Sequence, residues 1–382
     1  MHVLPGIVTL MHAPNDNLAS QDLSSGVRST VLAYNWMFGR DFDIFFFFFP
    51  LALGVLCFAL SQSTAISTSA FWMFLVLDAF GAGPFHFGPT WFAYYDKKNL
   101  QYWKSLRSKQ IVFFLMPPLI ILVTTLTFMY VFGVVELLIT LWAIQHIIQQ
   151  NVGILLLYHN QSTGEAIVPR QIEMRSLQFP SILFSTIFFW RIFLVAPTGI
   201  GWTIFFALAS LVAAYPVFCY VVELRKQVAA GATLNVPALV FWGLSIGSFI
   251  PFAFVGKSFA EAWIIPVTIH WFQYIGLNYA MVKKKYAVGS PLVSDMPERI
   301  PPLTLFFATC ILLFVMAFLI VFVGGELCKS NNLFAKMCIG IWLGITACHY
   351  FLDAFLWRFR EAHARQSILP HLLTYRKVVA KS

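Results

Sequence analysis

Residues 70–95, Ala70-FWMFLVLDAFGAGPFHFGPTWFAY-Tyr95, form a stretch apolar enough to lie in a bilayer, yet it carries Asp78 and His86 in its middle. Ionisable groups within hydrocarbon are costly, and they face a protein interior where partners or ligands compensate them. The stretch therefore predicts a membrane helix with one face turned to a buried site. Three later apolar stretches repeat the pattern with His146, His270 and His349.

Composition fits this reading across the chain. The 382 residues are 59% hydrophobic and 11% charged, with 41 Phe and a mean hydropathy of +0.76. Soluble domains carry about 25% charged residues, so a soluble fold is excluded. Apolar runs near the ~20 residues needed to cross a bilayer number ten: 44–60, 70–95, 111–132, 134–158, 179–196, 201–222, 236–255, 259–281, 303–323 and 333–357. The expected fold class is an all-α polytopic transmembrane bundle over residues 41–360. A polar tail, 1–40, precedes it, and a basic tail, 361–382, follows. The 3/4 break is set at Phe132/Gly133, and Pro117-Pro118 is expected to kink the helix before it.

The net charge of +9 admits nucleic-acid binding until the basic residues are placed. Of the 25 Lys and Arg, Lys257, Lys329 and Lys336 fall on one side of the ten spans and Arg191 falls inside one; all the others share the opposite side. That bias is the positive-inside pattern. It predicts both termini in the cytoplasm, makes the lipid bilayer the partner and gives no role to nucleic acid. The six cysteines are scattered without a CxxC pair, so neither a zinc ribbon nor a disulfide framework is indicated.

With the direction of each span assigned, every histidine gains a depth. His86 lies 11 residues before Lys97, His146 13 before His159, His270 13 before Lys283, and His349 nine before Arg358. At 1.5 Å per residue the four imidazoles stand roughly 13–20 Å from the cytoplasmic ends, in one layer. Polar residues accompany them: Gln150 and Asn151 after His146, Gln273 after His270, and Asp353 after His349. Residues three or four apart share a helix face, so these, with Asp78, are expected to orient the imidazoles. Arg191, in FFWRIFL, is expected near the same layer, as a substrate anchor or the partner of a buried carboxylate.

Neutral imidazoles in a low dielectric bind a metal, bind haem or relay protons. A single layer of four suits one mononuclear centre, for which iron, copper and zinc are all acceptable. Haem ligated by two of the four, in a quinone-linked redox protein, is the alternative; a proton- or anion-coupled transporter using the cluster and Arg191 is another. No HxxxH pair of the diiron type occurs, and no lysine sits at mid-span for a retinal Schiff base.

The histidine motifs also resemble those of the bacterial Brp/Blh-type membrane proteins, which cleave β-carotene. They are FHFG at 85–88, His146 in QHIIQQN, His270 in TIHWFQY, and HYFLDAFLWR at 349–358. The family's late helix carries two histidines four apart, where this chain has His270 and Tyr274. Its early motif has an Asp soon after the His, where this chain has Thr90. The resemblance implies a bacterial inner-membrane oxygenase with non-haem iron and a lipophilic carotenoid, isoprenoid or lipid substrate. It further implies that His349 completes a ligand set of His86, His146 and His270. The closing HYxxDxxxW is similar to that of uncharacterised bacterial polytopic proteins, a likeness that implies no function.

Overall fold

The computed structural model describes residues 32–62, 83–159, 168–255, 259–287, 290–297, 300–328 and 333–373. Long helices dominate, as expected. Helix α1 runs from Arg40–Asp43 through a π turn, Ile44–Phe48, into Phe49–Gln62. Next come a broken segment α2 (Gly83–Phe85 and Gly88–Phe92), α3 (Lys97–Ser105), and α4 (Arg107–Gln110, a π turn Ile111–Leu115, then Met116–Tyr130). Beyond these lie α5 (Phe132–His159), α6 (Arg170–Ile192), α7 (Ile200–Ala229), α8 (Val236–Gly247 with Phe249–Phe254) and α9 (Phe259–Lys285). Helices α10 (Pro302–Cys328) and α11 (Leu333–Leu356) complete the bundle, with short α12 (Ala362–Ser367) and α13 (Leu369–Leu372) after it.

Seven helices among the described residues are long and apolar enough to cross a membrane. They match expected spans one, three, four, six, seven, nine and ten. Helices α6 and α9 occupy the places of two more, and the last, residues 70–95, is described only from Gly83 onward, so Asp78 lies outside the described residues. The break between the third and fourth spans falls at Val131. Both π turns end just before a proline, Pro50 in α1 and Pro117 in α4. Proline has no N–H and its ring crowds the carbonyl four residues earlier; the wider turn relieves that crowding without ending the helix.

The expected tails are corrected in extent. Residues 32–39 belong to the packed body: Leu32–Ala33 pairs in parallel with Leu234–Asn235. Met37 is buried, and the Met37 and Phe38 amides donate to buried Asp43 at 2.6 and 3.0 Å. Tyr158 of α5 donates to the same carboxylate at 3.0 Å, which ties the segment to the bundle. At the other end Ile368 and Leu372 join the main hydrophobic core. His363 stacks on Tyr102 at 4.1 Å and pairs with Asn99 Oδ1 at 2.9 Å. An extended basic segment cannot bury an apolar stripe, whereas two short helices can.

Glycines set the closest helix contacts. A Cβ on Gly344 of α11 would stand 2.7 Å from the Ile121 Cα of α4, and one on Gly340 would stand 2.9 Å from the Thr125 Cα. These two are four apart and form the small-xxx-small seam by which membrane helices approach backbone to backbone. Gly344→Leu is expected to destabilise the protein by about 1–3 kcal/mol, the usual cost of overpacking. An unchanged melting temperature in detergent would contradict this contact.

Candidate metal centre

Four segments deliver the histidines. In α2, Pro89 cannot donate to the Phe85 carbonyl, so the helix opens between Phe85 and Gly88, and His86 occupies the opening. Gly88, two residues on, lies so close to α10 that a Cβ there would be 2.5 Å from Cys310 Cα. His146 stands midway along α5, and His270 stands midway along α9. In α9 a Cβ on Gly276 would be 2.5 Å from the Phe46 ring. His349 follows the glycine seam of α11.

The structure brings all four imidazoles together. Ring centroids are 5.1 Å apart for His86 and His270, 4.9 Å for His270 and His146, 5.1 Å for His146 and His349, and 4.7 Å for His349 and His86. The His270–His349 diagonal is 6.4 Å. His86, His270 and His349 can each point one ring nitrogen to within 4.8 Å of the others; His146, His349 and Asp353 form a second such group. His86, His270 and His349 are at most 2% exposed.

The surrounding hydrogen bonds assign tautomers. The His86 Nδ1–H donates to the Gly83 carbonyl, which leaves Nε2 with its lone pair. Thr90 Oγ1 donates to Asp353 Oδ1 at 2.9 Å and lies 2.7 Å from His349 Nδ1. The hydroxyl proton being engaged by the carboxylate, His349 Nδ1–H must donate to Thr90, and its Nε2 also carries a lone pair. Tyr274 donates to the same Asp353 oxygen at 2.7 Å and lies 2.9 Å from the Thr90 hydroxyl. A partner that fixes one ring nitrogen and frees the other is the usual accompaniment of a metal-binding histidine.

Several of these nitrogens lack hydrogen-bond partners among the described residues: His349 Nε2, His146 Nε2 and both nitrogens of His270. Asp353 Oδ2 lacks one too and stands 3.7 Å from His146 Nε2. Buried polar atoms are nearly always satisfied in native proteins, and clustered exceptions point to an ion or water. The walls are aromatic. Phe87 lies 4.4 Å from the His86 ring and 4.9 Å from that of His349; Trp271 lies 5.8 Å from His86, and Tyr350 4.9 Å from His146.

The companion residues divide. Gln150 donates to the His270 carbonyl at 3.0 Å and to Gln273 Oε1 at 3.3 Å, so both belong to the cluster's frame, as does Asp353. Asn151 is buried, but its Oδ1 has no hydrogen-bond partner among the described residues. Five residues from His146, it lies about 140° around an ideal helix from it. Arg191 is corrected. Helix α6 starts earlier and stops sooner than the expected span, so Arg191 sits in its last turn and donates to the Ala253 carbonyl at the end of α8. A cation in the last turn complements the helix dipole there.

Thr90 and Tyr274 carry the polar frame, and neither residue type advertises this in sequence. Thr90→Val is expected to leave His349 Nδ1–H without its acceptor and to weaken metal binding about 10–100-fold. Metal titration of the purified variant reads this directly, and affinity equal to wild type would show that Thr90 does not orient His349.

Compared with protein families, with curated proteins and with solved structures, the chain finds no match in any of the three.

Proposed function

We propose that the chain is a ten-span inner-membrane metalloprotein of bacteria, both ends cytoplasmic, holding one mononuclear metal between His86, His146, His270 and His349. Unsatisfied nitrogens on His146, His270 and His349, together with two groups of converging ligand atoms that share His349 and include His86, carry the reading. The spacings support it. With metal–nitrogen bonds of about 2.1 Å, ligating rings would have centroids about 4.5 Å apart at right angles, about 5.2 Å at the tetrahedral angle and about 6.4 Å in trans. The four sides of 4.7–5.1 Å and the diagonal of 6.4 Å lie within that range.

Non-haem iron is the metal proposed, and oxidation of a lipophilic carotenoid, isoprenoid or lipid substrate by dioxygen is the chemistry it would supply. The motif resemblance suggests this choice; the apolar walls of Phe87, Trp271 and Tyr350 would admit such a substrate and exclude water. In this scheme the chain's own residues position and neutralise. Thr90 and the Gly83 carbonyl hold two imidazoles in the ligating tautomer, and the Asp353 carboxylate balances part of the metal's charge. Haem is disfavoured by crowding: a porphyrin between His270 and His349 would need the space that the His86 and His146 rings fill. Metal analysis and an absorption spectrum of the detergent-solubilised protein test the proposal. About one iron per chain without a Soret band is the expected result, and a metal-free protein or an intense Soret band would overturn it.

A further inference from the structure

A second site lies between α5 and α6. Gln145 and Gln149, one turn apart, line a cleft of about 320 Å³ together with Gln178 of α6. Leu141, Ile182 and Phe189 are among its apolar walls. Ser185 and Thr186 also border it, but their hydroxyls donate to the Ser181 and Ile182 carbonyls of their own helix. The three glutamine amides are different, because none has a hydrogen-bond partner among the described residues.

Depth makes that notable. Helix α5 has 28 residues, so Gln145 lies about 20 Å from either end, which places it in the hydrocarbon core of a spanned bilayer. Gln145 and Gln149 are exposed on the bundle's outer face. An amide without a partner is strongly disfavoured in hydrocarbon. A phospholipid headgroup stays at the interface and does not reach this level. The cleft has no Lys, Arg, Asp or Glu in its lining, so a charged ligand would find no counter-ion. Its volume is at the lower end of the roughly 300–1,000 Å³ usual for small-molecule sites.

We propose that this cleft binds a neutral, bilayer-soluble lipophile through carbonyl or hydroxyl oxygens that accept hydrogen bonds from the amides of Gln145, Gln149 and Gln178. The ligand enters sideways from the lipid, its apolar body lies against Ile182 and Phe189, and its polar end meets the three amides. The site is separate from the metal centre: none of His86, His146, His270, His349, Thr90, Tyr274 or Asp353 lines the cleft.

Native mass spectrometry of the full chain released from detergent tests this, with decylubiquinone as the carbonyl-bearing probe and squalene as a hydrocarbon without oxygen. One decylubiquinone per chain is expected, with squalene failing to compete. Gln149→Leu and Gln178→Leu, on different helices and each exchanging an amide for an apolar side chain, are each expected to weaken it at least tenfold without lowering the melting temperature. His349→Ala is expected to leave it unchanged, so failure of the metal reading is separable from failure of this one. The proposal is overturned if the wild type shows no saturable binding, or if both glutamine variants bind as the wild type does. It is also overturned if those variants convert a dimer to a monomer, which would make the face a contact between copies of the chain.

Discussion

His349→Ala is expected to empty the metal centre, with metal content falling from about one equivalent per chain to a small fraction and affinity falling by more than the ~10–100-fold that attends loss of an outer partner. The argument rests on position. His349 belongs to both groups of converging ligand atoms, and its ring contacts the other three histidines, Thr90 and Asp353. Removing it also leaves the Thr90 hydroxyl without its imidazole donor. His371→Ala serves as the control, since His371 lies in α13, outside the cluster. Elemental analysis of both variants gives the answer. If His349→Ala keeps its full equivalent of metal, the four-histidine centre is wrong.

The rigidity such a centre needs comes from close helix contacts. Three of the four histidine segments carry a glycine that presses against a neighbour: Gly88 on Cys310, Gly276 on Phe46, and Gly344 on Ile121. A side chain at any of those points would force the neighbouring residue to shift, and ligand geometry has to be held within about 0.5 Å to be useful. His146 is held differently, through Gln150 on the next turn of α5, which bonds to the His270 backbone.

The meeting of the four histidines was legible because helix rise and charge bias are both one-dimensional. Together they give each residue a depth, and equal depth on helices running the same way is enough to suggest contact. Orientation around each helix is harder. Gln150 and Asn151 share a depth, yet Gln150 bonds to the His270 backbone while Asn151 Oδ1 has no hydrogen-bond partner among the described residues. Arg191 differs for another reason: the apolar run that marks its span starts nine residues after α6 itself, which begins at Arg170. Thr90 and Tyr274 were visible only as replacements for residues in a similar family. Their joint bond to Asp353 is a contact among three segments that no spacing rule encodes.

Asp96→Asn is expected to cost about 3–5 kcal/mol, the penalty for stranding one member of a buried ion pair. Asp96 is 1% exposed at the start of α3, where its Oδ1 accepts from the Lys98 and Asn99 amides as an N-cap. Its Oδ2 accepts from Lys285 at 2.6 Å and from Tyr286 at 2.5 Å, so one carboxylate joins the end of α2, the start of α3 and the end of α9. Burial alone would raise its pKa; the Lys285 charge, with the bonds from Lys285, Tyr286 and the Asn99 amide, outweighs burial and holds it below the usual carboxylate value. A depressed folded-state pKa gives stability that is complete above the unfolded value of about 3.9 and is lost as pH falls from there through the lower folded value. Thermal melts in detergent should therefore show the wild type well above Asp96→Asn at pH 7, with the gap narrowing only below about pH 4. A gap that closed between pH 7 and pH 5 would mean that Asp96 titrates above its ordinary value and is not held by Lys285. Because Asp96 also sits six residues beyond Thr90, the variant should loosen the segment that carries Thr90 and His86, and a lower metal content at pH 7 is the accompanying result.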